Sequence, residues 1–600
     1  MASDAAPAES GEQEELAAPQ APGDRLSRMR HSAAHVLAEA VLERFPGAKY
    51  AIGPPIENGF YYDFELPRPL TPEDLAVLER RMRKTVKANV PIEGRQIPKE
   101  QARALFSDQP YKLELIDEIE GATVGHFRHA RFDDLCRGGH TDSTGDLGAF
   151  RLDRVAGAYW RGDERNAMLQ RVYGLLFETP EELEAYVEAR EEAERRDHRR
   201  LGRALDLFHI DPVSPGSPFY HPRGTVLYNG LIDYVRELYV EYGYQEVITP
   251  QLFAADLWKT SGHYENFGED MFLFGEEGSE IGIKPMNCPG HCHYYRSRLY
   301  SYRDLPLRLA EFSRLHRNER SGVLSGLTRA RSFAQDDAHI YCTPEQFEGE
   351  VFAVFEMSER IYSDLGLKDW QIRLATMPDA NYIGEPADWR RAEDLLAAAV
   401  GGAGREFELA PGEGAFYGPK LEFHLRDALG RSWQLGTLQV DLGMPARFGL
   451  TYVAADGAEH EPVMLHRAIL GSLERFLAIY IEHTAGAFPL WLAPVQAVVI
   501  PIADRHAAYA GEVRSELARR RLRVEIDASN NRMNAKIRAA QLHKIPYMLV
   551  VGDREAEARA VAVRVRGGAD LGALPLAEVA ARLAEERDSR ALEGLGGAGT

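Results

Sequence analysis

Residues 315–342, LHRNERSGVLSGLTRARSFAQDDAHIYC, constrain this chain more than any other stretch. His316, Arg317, Glu319, Arg320, Arg329 and Arg331 crowd around a turn built on Ser321, Gly322, Ser325 and Gly326. Two charged arms joined by small residues predict an antiparallel hairpin carrying a polar site. An arginine on one arm offers a phosphate planar, bidentate hydrogen bonds. Gln335, Asp336, Asp337 and His339 on the other arm offer groups for a cation or an amine. Charge density alone equally suits a solvated surface hairpin. Phe333, Ala334, Ala338 and Ile340, interleaved with the polar groups, favour a partly buried strand.

A chain of 600 residues exceeds one hydrophobic core, so three or four domains are expected. No run of about 18 apolar residues occurs, so no membrane span is expected. Only four cysteines occur, Cys136, Cys288, Cys292 and Cys342, which argues against a disulfide framework and for a reducing, cytoplasmic setting. The net charge of -21 counts against a generic nucleic-acid coat, which would be basic. It leaves room for one RNA held by local basic clusters such as residues 80–84, 195–203 and 519–521. Residues 1–25 are acidic and Ala/Pro-rich, without the positive start and apolar stretch of a secretory signal; a disordered tail is expected.

Residues 27–45 have helical periodicity, and His31 and His35 share one stripe of that helix. About a hundred residues later Asp134, Cys136 and His140 lie on a glycine-bearing turn. Each pair alone is more often core or surface; together they have the spacing of a four-ligand site. Thr179-Pro180-Glu181-Glu182 is a helix start, with Thr as cap, Pro in the first turn and Glu at the third position. The Glu/Arg-rich helix predicted from there to about residue 205 is a solvated linker. Residues 224–242 form an amphipathic helix that runs into a short strand ended by Pro250. From residue 495, strands and helices alternate, which predicts a parallel sheet flanked by helices. No GxxxxGK[ST] loop is present, so a P-loop nucleotide site is excluded.

Arg317-x-Glu319, a loop, then Arg-x-x-Phe resembles the second signature motif of class II aminoacyl-tRNA synthetases, and the wording of this stretch is similar to that of the threonyl branch. GHYENFGEDMF (262–272), IKPMNCPGHC (283–292) and the motif-3-like run 462–475 continue the resemblance. It implies a multidomain α+β and α/β chain. Its parts would be an α+β editing domain (26–178), a linker helix (179–205), an antiparallel-sheet catalytic core (206–490), an α/β anticodon-binding domain (491–588) and a flexible tail (589–600). A small ubiquitin-like domain, common ahead of the editing module in this family, is not recognisable here.

What the resemblance implies chemically can be stated residue by residue. Cys288, His339 and His466 would hold one Zn²⁺. Asp337, Tyr417 and Gln335 would bind the amino acid. Arg317, Glu319, Arg329, Lys420, Glu422, Gln434, Thr437, Gln439, Ser472 and Arg475 would surround ATP and its Mg²⁺, with Arg317, Arg475, Lys420 and Gln335 closest to the reaction. His31, His35, Lys112, Asp134, Cys136 and His140 would hydrolyse seryl-tRNA by a metal-free, water-mediated route. Asn530, Glu555 and Arg564 would contact the anticodon of tRNA(Thr), although ordinary surface polarity also accounts for them. The helix at 224–242 and the strand ended by Pro250 resemble the family's first signature motif, and this first-motif helix implies a homodimer.

The two sites have one logic. An apolar pocket separates threonine from its isostere valine poorly, and a metal that takes the hydroxyl separates them well. Serine keeps that hydroxyl, so a second, hydrolytic sieve is needed. Two other readings compete. A non-catalytic synthetase-like RNA regulator would be expected to lack a phosphate arginine or a zinc ligand, and none is missing. A stand-alone zinc hydrolase leaves about two thirds of the chain unexplained. Residues 375–378 (ATMP) and Ser325 depart from the family pattern and lie off the metal and phosphate set.

Overall fold

A computed structural model describes residues 24–276, 279–380, 382–427 and 430–595. It divides into two compact units, Met1–Glu191 and Glu192–Thr600. The expected acidic tail lies outside the described residues except for its last two. Asp24 caps the first helix by accepting from the Ser27 N–H at 2.7 Å, so that helix, Arg25–Arg44, starts two residues earlier than its periodicity suggested.

In the first unit this helix lies against an antiparallel sheet in the order Lys49–Tyr50, Gly59–Glu65, Met168–Phe177, Ala149–Tyr159. Phe60, Tyr62 and Phe64 alternate inward from Gly59–Glu65 and join Val36, Leu37, Leu78 and Val172 in one core. Asp63 on that strand is also buried. It is satisfied by the Arg171 guanidinium directly opposite, at 2.8 and 2.9 Å. A second antiparallel sheet, Glu93–Pro98, Thr123–His129 and Phe132–Leu135, ends in the turn that bears Cys136.

The cap of the linker helix forms as predicted: the Glu182 N–H donates to Thr179 Oγ1 at 3.2 Å and the Thr179 N–H to Glu182 Oε2 at 3.3 Å. The single helix expected to residue 205 does not form. It stops at Arg196, and Asp197 leaves helical geometry to cap a second helix, His198–Ala204, by accepting from the Arg199 N–H. Nor is that second helix solvated throughout, since His198 and Gly202 are buried.

The second unit is built on an eight-stranded sheet. Its order is Gln245–Glu246, Leu307–Glu311, Asp337–Cys342, Val463–Ala468, Ser432–Asp441, Lys420–Arg426, Trp370–Ala375, Phe407–Ala410. The six inner strands are antiparallel, and each outermost strand pairs parallel with its neighbour. Ala338, Ile340 and Leu465 turn to one face, into a core with Leu227, Leu231 and Val235 of the helix Pro222–Glu241 and Phe476 and Leu477 of Leu473–His483. Asp337, His339 and His466 therefore turn to the other face.

The hairpin is shorter than predicted. Arg314–His316 pairs with Ser332–Ala334 as a two-stranded ribbon, and the second arm then leaves it at Gln335, which bridges to Ser472. Asp337 onward belongs to the large sheet, so the expected second arm is two elements. The C-terminal sheet is Val524–Ile526, Ala497–Pro501, Tyr547–Val551, Ala560–Val565, Asp570–Pro575. Its first three strands are parallel and its last two antiparallel, which corrects the expectation of a wholly parallel sheet. Residues 589–595, expected to be a flexible tail, are packed: Arg590 stacks over Tyr234 and pairs with Glu237, and the Leu595 N–H donates to Tyr547.

Candidate active sites

Strand register assembles the first site. Leu309 pairs with His339, His339 with His466, His466 with Gln439, and Gln439 with Lys420, a row across five strands. A second row on the same face brings Thr437 beside Glu422, and Asp337 beside Glu311. Cross-strand neighbours lie about 5 Å apart, so side chains separated by up to 127 positions become adjacent.

Cys288, at the start of the helix Cys288–Arg296, completes a set with His339 and His466 whose donor atoms lie within 4.8 Å of one another. His339 Nε2 faces His466 Nδ1 at 2.9 Å. The outer nitrogens are already engaged. His466 Nε2 meets Asp441 Oδ2 at 2.8 Å, and His339 Nδ1 meets His291 Nδ1 at 2.8 Å. His291 Nε2 in turn meets Glu311 Oε2 at 3.1 Å, and Glu311 Oε1 pairs with buried Lys284 at 2.9 Å. Carboxylates behind the imidazoles fix tautomers that leave both inner lone pairs free. Burial pushes the Cys288 thiol well above its usual range, with Asp337 adding to the effect. A bound cation reverses that, because ligation deprotonates a thiol outright. The donor set therefore fits a zinc with an open position. Asp337 is held at the edge by the Asn287 amide at 2.8 Å, and the Tyr417 ring lies 5.2 Å from that of His466.

The Arg317 guanidinium lies over the rings of Phe267 and Phe333, 5.3 and 5.2 Å from their centroids. Its buried Nε has no partner among the described residues, and burial lowers its pKa. Arg475, beside Trp433, has the same unpartnered Nε. Two half-buried cations whose buried Nε donors lack a partner are costly unless an anion arrives. Glu319 binds Arg329 at 2.9 Å. Glu422 gathers Lys420 at 2.7 Å, His424 at 3.0 Å and the Gln434 amide at 3.0 Å. Although burial opposes it, His424 and Lys420 hold its carboxyl down at about 2. Gln439 donates to the Gly418 carbonyl, and the Ser472 hydroxyl caps the helix that carries Arg475.

The second site lies in the first unit. His31, His35, Cys136 and His140 offer donor atoms within 4.8 Å of one another. Behind them a fully buried ion pair joins Lys112 Nζ to Asp134 Oδ1 at 2.5 Å. Asp134 Oδ2 takes His35 Nε2 at 3.2 Å and the Tyr62 hydroxyl at 2.6 Å. Cys136 Sγ lies 3.0 Å from His140 Nε2, and Ser32 Oγ lies 3.1 Å from His140 Nδ1. Burial lowers all three imidazoles and raises the thiol to about 12, Asp134 adding to the latter, so the ground state is three neutral bases and a neutral thiol. All six expected residues come together. In the C-terminal region Arg564 pairs with Asp570 at 2.8 Å, Glu555 accepts the Gly552 N–H as the cap of a short helix, and Asn530 is exposed.

Residues 122–173 match the family model of the threonyl and alanyl tRNA synthetase second additional domain. Residues 272–484 match the class II tRNA synthetase core domain (G, H, P, S and T), and residues 496–586 match the anticodon binding domain. The threonine–tRNA ligase of Thiobacillus denitrificans is 51% identical over 94% of this chain and 89% of its own. The chain belongs to the threonine–tRNA ligase family. The ligase of Methylococcus capsulatus is 50% identical over 95% of this chain and 90% of its own. Among solved structures, the RNA binding domain of threonyl-tRNA synthetase from Cryptosporidium parvum aligns with a TM-score of 0.63 at 47% identity, covering 65% of this chain and 98% of that one. A putative threonyl-tRNA synthetase from Aeropyrum pernix aligns at 0.58 and 29%, covering 66% and 97%.

Against that family background, the supporting residues are what sequence reasoning missed: Ser32 in the first unit, and Lys284, Asn287, His291, Glu311 and Asp441 in the second. Lys284, Asn287 and His291 left a signal, lying in the family-like run 283–292, and His291 lies three positions after Cys288 on one helix face. The two departures from the family pattern are locally satisfied. Ser325 bridges to Arg329, and the Thr376 carbonyl accepts the Gly414 N–H.

Proposed function

We propose that this chain activates L-threonine with ATP, passes it to the 3′-terminal adenosine of tRNA(Thr), and hydrolyses seryl-tRNA(Thr) formed in error. The observation that carries this reading is the Cys288–His339–His466 set, with its outer nitrogens engaged, on the sheet face that also bears Lys420, Glu422 and Asp337. Those three residues would hold a zinc, which would supply Lewis-acid recognition of the amino and hydroxyl groups of threonine. Asp337 accepts the hydroxyl hydrogen bond, a contact valine cannot make, and Tyr417 and Gln335 close the amino-acid side.

Arg317 binds the α-phosphate and Arg475 the γ-phosphate, satisfying their unpartnered donors. Glu319, Arg329, Gln434, Thr437, Gln439 and Ser472 frame the nucleotide, while Lys420 and Glu422 meet phosphate and Mg²⁺. The threonine carboxylate attacks the α-phosphorus, forming a new O–P bond as the bond to pyrophosphate breaks. The terminal ribose hydroxyl then attacks the carbonyl, and AMP leaves. These side chains act by positioning and charge neutralisation, without a covalent enzyme intermediate.

In the first unit, Lys112 and Asp134 orient the neutral His31, His35, Cys136 and His140 around a water that attacks the seryl ester, without a metal. Asn530, Glu555 and Arg564 meet the anticodon. The domain limits are 26–178, 179–205, 206–490 and 491–588. Val240 and Ile248, 84% and 92% exposed on and after the first-motif helix, favour a homodimer. No described helix is long and apolar enough to cross a membrane, and the four cysteines are free, which supports a cytoplasmic setting. Charging of tRNA(Thr) with threonine, together with release of serine from seryl-tRNA(Thr), tests the reading. Failure of both reactions would overturn it.

A further inference from the structure

Resting on the assignment of Arg317, Glu319 and Arg329 to ATP, we infer that His198 is a positioning residue for the loop that joins the two hairpin arms. His198 opens the helix His198–Ala204, ahead of the catalytic core, and is buried. The Leu327 backbone N–H, in that loop, donates to His198 Nε2 at 3.1 Å. A nitrogen that accepts carries no proton, so the proton sits on Nδ1, which donates to Glu482 Oε1 at 2.6 Å. The same oxygen accepts the His198 N–H at 3.0 Å, and the other carboxylate oxygen takes Arg431 at 2.5 Å. The imidazole is thus a neutral bridge of fixed tautomer between the loop and the helix Leu473–His483.

The loop is shaped to lie on that ring. Gly326 has φ +52°, and a Cβ there would come within 2.2 Å of His198 Nε2. The same helix grips the base of the hairpin. Eight residues before Glu482, buried Glu474 accepts the Ala334 N–H at 2.9 Å and pairs with Arg314. Glu474 holds the arm, and Glu482 holds the tip through His198. Arg475, next to Glu474, then keeps a set spacing from Arg317 and Arg329. The Asp197–His198–Glu482 donor atoms also lie within 4.8 Å of one another. The His198 and Glu482 lone pairs are already taken by the Leu327 N–H and Arg431, so the group works as a hydrogen-bond relay and not as a metal site.

The test uses the full-length enzyme. His198→Asn keeps a donor for Glu482 and withdraws the acceptor from Leu327, while His198→Gln restores an acceptor at the reach of Nε2. In His198→Asn, exchange of the Leu327 amide should quicken about tenfold, and the KM for ATP in threonine-dependent pyrophosphate exchange should rise by about five- to tenfold, the effect of one buried hydrogen bond. The KM for threonine should move less than about twofold, and His198→Gln should recover part of both changes. Gly326→Ala should phenocopy the loss and be less than additive with His198→Asn. Unchanged amide exchange in His198→Asn would overturn the tether. Faster exchange with an unchanged KM for ATP would overturn the positioning role. If the wild-type enzyme shows no threonine-dependent exchange, the ATP assignment and the positioning role fall together, and Leu327 exchange still judges the tether by itself.

Discussion

His466 meets Asp441 Oδ2 through Nε2 at 2.8 Å and so turns Nδ1 toward His339, 2.9 Å away. The carboxylate fixes which nitrogen carries the proton, and hence which lone pair faces Cys288. Asp441→Asn can donate as well as accept, so the tautomer is no longer fixed. Zinc affinity, measured by chelator competition, should fall about 10–100-fold. An unchanged affinity would mean that Asp441 supports the strand and not the ligand.

Arg317 Nε has no hydrogen-bond partner among the described residues, and its guanidinium lies over the Phe267 and Phe333 rings. Lysine keeps the charge but not the planar fork. Arg317→Lys should lower kcat/KM for ATP by about 10²-fold or more, with the protein still folded by circular dichroism. Activity within a few-fold of wild type would show that charge alone suffices.

Cys136 stands 3.0 Å from His140 in a site whose three imidazoles and thiol are neutral at rest. Cys136→Ala removes one anchor of the attacking water. Seryl-tRNA(Thr) should accumulate during charging with serine, while the threonylation rate is retained. Normal deacylation by this variant would remove Cys136 from the hydrolytic site.

Against burial, which opposes it, His424 and Lys420 hold Glu422 at about 2, compared with 4.5 for the free group. A carboxyl whose pKa is lower in the folded state binds fewer protons there than when unfolded. Its contribution, on the order of 3 kcal/mol, is present above about pH 4.5 and lost as the pH falls toward 2. Glu422→Gln should therefore be less stable than wild type at pH 6, with the gap closing as the pH approaches 2. Denaturant titrations at stepped pH would read this directly. A gap that widens on acidification would contradict the assigned sign.

The sequence was most legible where local chemistry decides. Thr179 and Glu182 formed the predicted capping box, and His31 and His35 fell on one helical stripe. Class and family were readable because motif residues are short-range patterns, and the Cys288, His339 and His466 expected as a set do come within 4.8 Å of one another. What was not readable depends on register. Nothing near residue 339 announces that His466 will be its direct strand neighbour, or that Gln439 and Lys420 will extend the row. Asp441, His291 and Glu311 were missed for the same reason, since an orienting residue is defined by the ligand it touches. The two-element second arm was hidden because Ser332–Ala334 and Asp337–Cys342 look equally strand-like, and only pairing tells one sheet from another. The linker helix was over-extended because Asp197 sits in a Glu/Arg run, where its role as a cap has no contrast.

The central claim is that the His339–His466–Cys288 set, with Asp337, selects threonine by its hydroxyl. Pyrophosphate exchange with ATP, run separately with threonine, valine and serine on the zinc-loaded enzyme, tests it most directly. Threonine should support exchange, serine should support it more weakly, and valine should fall at least about 10²-fold below threonine. Valine exchanging as well as threonine, or no exchange with threonine, would contradict the claim.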